Sequence, residues 1–159
     1  DFLICIKNIL LMKKNIYIEN TIYLNEEDLS GFAGICLDIS HLENDRLLNP
    51  TSFKQIFFLL NKFPVGANHL SAISSDLVQY KDGTRGYENH HMRSHSQFDY
   101  LIKYSPELFG EYIVVELNNS ISEQLSLILY LEELLKFLEF SPRKRPLAGP
   151  SSRTYKPFS

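Results

Sequence analysis

Short apolar, β-branched runs alternate along this chain with stretches of helical periodicity, and that alternation restricts the fold more than any other feature. The runs are NIYIENT (15–21), FAGICLDIS (32–40), FPVGANHLSAIS (63–74) and EYIVVELNN (111–119). The helical stretches are NEEDLS (25–30), TSFKQIFFLLNKF (51–63), SQFDYLIKYSPELF (96–109) and SEQLSLILYLEELLKFLEF (122–140). Thr51 and Ser122 are the expected caps of the second and last of these. Strands that are apolar on both faces and separated by helices imply an α/β fold with a parallel sheet covered on both sides, as in doubly wound folds or barrels. DFLICIKNILLMKK (1–14) is apolar around most of its circumference and closes on Lys13 and Lys14. A buried helix with its basic residues at the favourable end of the dipole is expected there. SPRKRPLAGPSSRTYKPFS is rich in Pro, Ser and basic residues without periodicity, so 141–159 is expected to be a flexible tail and 1–140 the folded part.

Composition narrows the class. The 159 residues are 44% hydrophobic and 22% charged, which suits one globular domain. Sixteen basic against nineteen acidic residues leave a net charge of −3, and no global field that would draw in a polyanion, which counts against nucleic acid as a partner. No run approaches the roughly 18 to 20 apolar residues that span a bilayer. The first segment lacks a basic leader and a small-residue cleavage site, so a cytoplasmic protein with no membrane association is expected. Cys5 and Cys36 sit inside apolar segments and read as buried thiols, not as a disulfide. Glycine-rich phosphate loops, a G-x-S-x-G elbow and a Cys/His nucleophile pattern are all missing from the sequence, which gives no sign of covalent catalysis.

Each apolar run carries its acid-base or metal-competent residue near its C-terminal end: Glu19 in IYIEN, Asp38 and His41 in CLDISH, His69 in ANHLS and Glu116 in VVELN. Barrel and open α/β enzymes keep their chemistry at that end, because the loops after the strands converge there. Taken singly, a Glu at a strand end is usually solvated and a His on an apolar strand is usually a hydrogen-bonded core residue. Recurrence at the same end of four successive strands favours a shared site. Carboxylate and imidazole together suit a divalent cation of the Mn, Mg, Co or Zn type.

IYIEN followed by GICLDISH, then NHLS, then a His-containing loop and IVVELN, resembles the C-terminal half of the xylose isomerase-like TIM barrels, over about residues 1 to 138. That superfamily includes sugar phosphate isomerases and epimerases and the endonuclease IV enzymes, and D-x-x-H after a hydrophobic strand is the most specific part of the match. In the sugar epimerase branch the resemblance implies one divalent metal held by Glu19, Asp38, His69 and Glu116. It further implies that Glu19 and Glu116 exchange a substrate proton and that His41, on the loop beyond the strand, reaches the substrate. A metal-polarised carbonyl acidifies the neighbouring C–H and stabilises an enediolate, while one carboxylate removes the proton and another returns it. The endonuclease branch uses three zinc ions and a D-x-H motif in the loop where this chain has GYENHHMRSHS (86–96). His91 follows Asn89 by two and His90 follows Glu88 by two, so neither pairing keeps the Asp. A solvated polar loop is the bland alternative for this segment, and His91 and Arg93 are candidates for substrate binding within it.

A closed barrel of this kind has eight strands and about 250 residues, and its early strands have no counterpart here. A fragment of a longer product is expected; a split protein completed by a complementing half-barrel, or a half-barrel pairing with its own copy, are the alternatives. The leading expectation is a divalent-metal-dependent isomerase or epimerase acting on a sugar or sugar phosphate. An endonuclease IV-like zinc phosphodiesterase acting on damaged DNA and a non-catalytic relic or interaction module are its rivals.

Overall fold

The computed structural model describes residues 15–20 and 24–140, the last three by backbone alone. The expected helix 1–14, Cys5 and the tail 141–159 lie outside the described residues.

The chain opens with β1 (Tyr17–Glu19) and α1 (Glu26–Leu29), a single turn held by a reciprocal cap between Asn25 and Asp28. β2 (Gly34–Asp38) is buried at every residue, as the near-continuous apolar sequence GICLD requires of a parallel strand covered on both faces. It runs without a break into α2 (Ile39–Leu48), a helix absent from the expected set. ISHLENDRLL carries polar and charged residues on most sides, so periodicity gave little sign of it. What starts it is a local signal, the Asp38 side chain, whose Oδ1 accepts hydrogen bonds from the backbone N–H of Ser40 (2.8 Å) and His41 (3.0 Å). His41 therefore stands in the first turn of a helix, not on a loop. α3 (Pro50–Leu60) follows, capped by Asn49 with Pro50 in its first turn, two residues earlier than the expected cap at Thr51.

The expected strand 63–74 divides at Ser71. β3 (Val65–Leu70) stays in the parallel sheet, whereas β4 (Ala72–Gln79) leaves it, turns at Asp82-Gly83 and returns as β5 (Arg85–Asn89) in an antiparallel hairpin. Gly83 takes φ +86°, and Asp82 Oδ1 accepts from the Thr84 backbone N–H at 3.0 Å. The first part of GYENHHMRSHS is thus a strand. The expected helix 96–109 is two 3-10 segments, His95–Lys103 and Pro106–Leu108, separated where Pro106 lacks an N–H and pushes Ser105 out of helical geometry. β6 (Tyr112–Val115) completes the sheet, and α4 (Ile121–Phe140) ends the described chain. Its cap is Ser120 in place of the expected Ser122: Glu123 Oε2 accepts from the Ser120 N–H (2.9 Å) and Ser120 Oγ from the Glu123 N–H (3.4 Å).

The result is an α/β fold whose parallel sheet has the order β1-β2-β3-β6, beside the small β4-β5 sheet. All four runs expected as strands lie in the parallel sheet, each shorter than its apolar stretch. Ile35, Leu37, Ile39, Leu42, Leu70, Phe98, Leu101 and Leu127 are shut off from solvent and tie sheet, α2, the 3-10 segment and α4 into one core. Register sets the next level: Asp38 lies opposite His69 across β2 and β3, and the Glu116 N–H extends the β3-β6 ladder by donating to Leu70 O at 2.9 Å.

Candidate metal centre

Parallel pairing puts the C-terminal ends of β1, β2, β3 and β6 at one edge, so Glu19, Asp38, His69 and Glu116 arrive together. Glu19 Oε1 is 3.7 Å and Glu116 Oε1 3.0 Å from His69 Nδ1. Glu19, Asp38 and His69 form a group whose ligating atoms all lie within 4.8 Å of one another.

A second group of the same dimensions contains Asp38, His41 and Glu88. His41 Nε2 is 3.0 Å from Glu88 Oε2, and its Nδ1 lies 3.5 Å from Asp38 Oδ2 and 3.8 Å from Glu19 Oε1. His90 flanks this group, with Nε2 3.8 Å from Glu88 Oε1. Its other nitrogen, Nδ1, is 3.0 Å from the Glu116 carbonyl and 3.3 Å from Ser71 Oγ. An imidazole whose Nδ1–H is held by a carbonyl presents Nε2 as a lone pair, which is the arrangement that orients ligating histidines.

Asp38 belongs to both groups, and its two oxygens have separate tasks. Oδ1 caps α2, whereas Oδ2 is buried and makes no hydrogen bond. The backbone on either side is clamped by Asn20, whose side-chain N–H donates to Asp38 O (3.0 Å) and whose Oδ1 accepts from the Asp38 N–H. Asn20 is itself buried, so the Asn of IYIEN carries the β1-β2 ladder one step past the strand.

Glu19, Asp38, Glu88 and Glu116 concentrate four carboxylates at this edge. Burial would lower the His41 pKa, but the hydrogen bond to Glu88 and the charges of Asp38, Glu88 and Glu19 outweigh it and push it up to about 9. Burial raises the Asp38 carboxyl above its usual range, and Glu88 adds to that while His41 opposes it. Burial, then the charges of Glu19, Asp38 and Glu116, push the Cys36 thiol up to about 11, so it stays protonated beneath the cluster.

Of the residues expected at the site, Glu19, Asp38, His41, His69 and Glu116 converge. His91 and Arg93 do not: both are exposed, and His91 is held through its backbone N–H by Asn89 Oδ1 (2.9 Å). Glu88 and His90 take their place, because residues two apart on an extended strand share a face and a Glu-x-His aimed at Asp38 delivers both side chains to one side. The Asp-Gly turn, bounded by LVQY and RGY, was the sequence signal for that register. No family model, curated protein or solved structure matches the chain.

Proposed function

We propose that this chain carries the divalent-metal centre of a xylose isomerase-like barrel, with two neighbouring ligand groups sharing Asp38, and that it serves hydrolysis of a phosphoester in the manner of an endonuclease IV-like phosphodiesterase. One observation carries the reading. Among the described residues, the buried side-chain polar atoms without a hydrogen-bond partner are Asp38 Oδ2, Glu88 Oε1 and His69 Nδ1, the last with Glu116 Oε1 at 3.0 Å as an ion contact only. Buried polar atoms are nearly always satisfied, and these three all belong to the two ligand groups. Four carboxylates at one edge, with one imidazole held protonated, leave an uncompensated negative charge that divalent cations would neutralise. The donor set of oxygen and nitrogen fits Zn or Mn.

Glu19, Asp38 and His69, with Glu116 beside them, would hold one ion, and Asp38, His41 and Glu88, with His90, another, the second ion displacing the proton that His41 otherwise keeps. Those residues would give bound divalent ions the setting in which to polarise a phosphoryl oxygen and lower the pKa of bound water. The protein's own part is orientation: the α2 cap fixes Asp38 Oδ2, the Glu116 carbonyl fixes His90, and Asn20 holds the strand ends in register. Glu19 and Glu116, each with roughly a third of the side chain exposed, are the carboxylates accessible to take up a proton.

A one-metal sugar or sugar-phosphate isomerase is the second reading, favoured by Glu19 and Glu116 standing on the same His69 nitrogen, where they would take and return a substrate proton. The β1-β2-β3-β6 order is what successive βα units of a barrel present. Tyr112, Ile113 and Val114 of β6 are exposed, although parallel strands are ordinarily covered on both faces, which supports further units packing there.

Metal counting separates the readings. Two or more zinc or manganese ions per chain, with cleavage of an oligonucleotide containing an abasic site, is the expected outcome. One ion per chain, with proton exchange at a sugar carbon that Glu116→Gln abolishes, would establish the isomerase instead. A chain that takes up no divalent ion when complete would be the non-catalytic relic.

A further inference from the structure

Beside the metal centre, between the β4-β5 hairpin and the 3-10 segment His95–Lys103, lies a cavity of about 700 Å3. Three side chains of its wall, Arg93, Gln97 and Asn89, carry N–H donors with no acceptor among the described residues. Arg93 lines it, and among the described residues its guanidinium has neither an ion pair nor a hydrogen bond; only its backbone N–H is engaged, donating to Gln97 Oε1 at 2.6 Å. Gln97 Oε1 also accepts from the Ser94 N–H (3.2 Å), so its amide oxygen is turned to the backbone and its NH2 away from it. Asn89 repeats the pattern, with Oδ1 accepting from the His91 N–H and no acceptor at its NH2 among the described residues. Two amide NH2 groups and a guanidinium thus border one space.

Charge points the same way. Lys103 reaches the cavity while its Nζ sits 2.6 Å from Glu43 Oε1, but Glu43 is already paired with Arg46 through two hydrogen bonds. One carboxylate between two cations leaves the trio positive. Asp76 is the one acid among the lining residues, and the Ser75 hydroxyl donates to it at 3.2 Å. The cavity is also wired to the metal centre. Tyr100 forms part of its wall, is 5% exposed and donates to Ser71 O at 3.1 Å, and Ser71 Oγ contacts His90. Asn89 stands between Glu88 and His90 in the chain, on the other face of the strand.

We propose that this cavity is an oxyanion subsite that binds a phosphate group, with Arg93 as its principal contact and the Asn89 and Gln97 amides as supporting donors. A planar guanidinium with free donors matches two phosphate oxygens at once. The role as a substrate subsite rests on the phosphoester reading of the metal centre, whereas the existence of the subsite does not.

The test uses inorganic phosphate as probe, with the full chain in the presence of a chelator, followed by calorimetry or NMR titration. Wild type should bind phosphate, Arg93→Ala should weaken binding about tenfold or more, and Arg93→Lys should recover part of the loss. The thermal midpoint of Arg93→Ala should match wild type, because the side chain has no partner among the described residues. Equal phosphate binding by wild type and Arg93→Ala, or binding that appears only when a divalent ion is added, would overturn the subsite. Competition in the Arg93-dependent assay by a dinucleoside phosphodiester more than by ribose 5-phosphate assigns the anion to a nucleic-acid backbone, and the reverse order to a sugar phosphate. A count of one metal per chain would remove the phosphodiesterase reading and leave the chelator result standing.

Discussion

Asp38 shows how one side chain serves fold and site through different atoms. Because its ionised form is disfavoured by burial, the neutral isostere removes a cost of folding while keeping a cap that Asn also provides. Asp38→Asn is expected to leave metal-free stability unchanged or higher and to weaken metal binding at least about tenfold, read by calorimetry alongside thermal melts. Glu43 is the opposite case. It is 1% exposed and receives hydrogen bonds from Arg46 (2.6 and 2.8 Å), Lys103 (2.6 Å) and Tyr104 (2.8 Å). Burial alone would raise its carboxyl, yet the bonds from Arg46, Lys103 and Tyr104 prevail and hold it below the usual range. A depressed carboxyl contributes stability above its unfolded pKa, near about 4.3, and loses it as pH falls through the lower folded value. Glu43→Gln should cost about 3 kcal/mol at neutral pH, and the gap from wild type should narrow on acidification below about pH 4; denaturant melts across pH measure both. Glu19, Asp38, His41, His69 and Glu116 were legible as a site from their positions at strand ends. Glu88 and His90 were not, since a polar E-N-H-H segment reads equally well as a solvated loop until its strand register is known.

At the scale of elements, the parallel strands could be read from the apolar runs IYI, GICL and YIVV, of which GICL alone is buried throughout. α2 and the β4-β5 hairpin could not be read so readily. One has polar residues around its circumference, and the other is a partly exposed ribbon whose alternation is interrupted by the register shift between Ile73 and Val78. Where a strand stops is decided by single residues. Gly34 opens β2 with φ +150°, and a Cβ there would run into the Pro64 carbonyl, which accepts the Ile35 N–H at 2.8 Å. Gly34→Ala is therefore expected to destabilise the protein by at least about 2 kcal/mol, seen as a lower urea midpoint with an unchanged slope.

Across the whole molecule, four strand ends, the first turn of α2 and one hairpin aim four carboxylates and three imidazoles at one edge, at a cost in repulsion that packing elsewhere must offset. Bound divalent metal should return that cost. At a hundredfold excess over its dissociation constant, zinc or manganese is expected to raise unfolding stability by about 2.7 kcal/mol, an increase that a chelator reverses and that Asp38→Asn largely lacks in thermal melts. Tertiary structure also brought together, from the hairpin and a 3-10 segment separated in sequence, the residues of the cavity that Arg93 lines. By itself the sequence determined the parallel sheet and which of its residues stand at the strand ends, because apolar runs of strand length between helices have few ways to be buried. Only the tertiary structure decided that Glu88 and His90 join Asp38 and His41 while His91 and Arg93 face elsewhere, because that choice turns on hairpin register, where a slip of one residue exchanges the two faces.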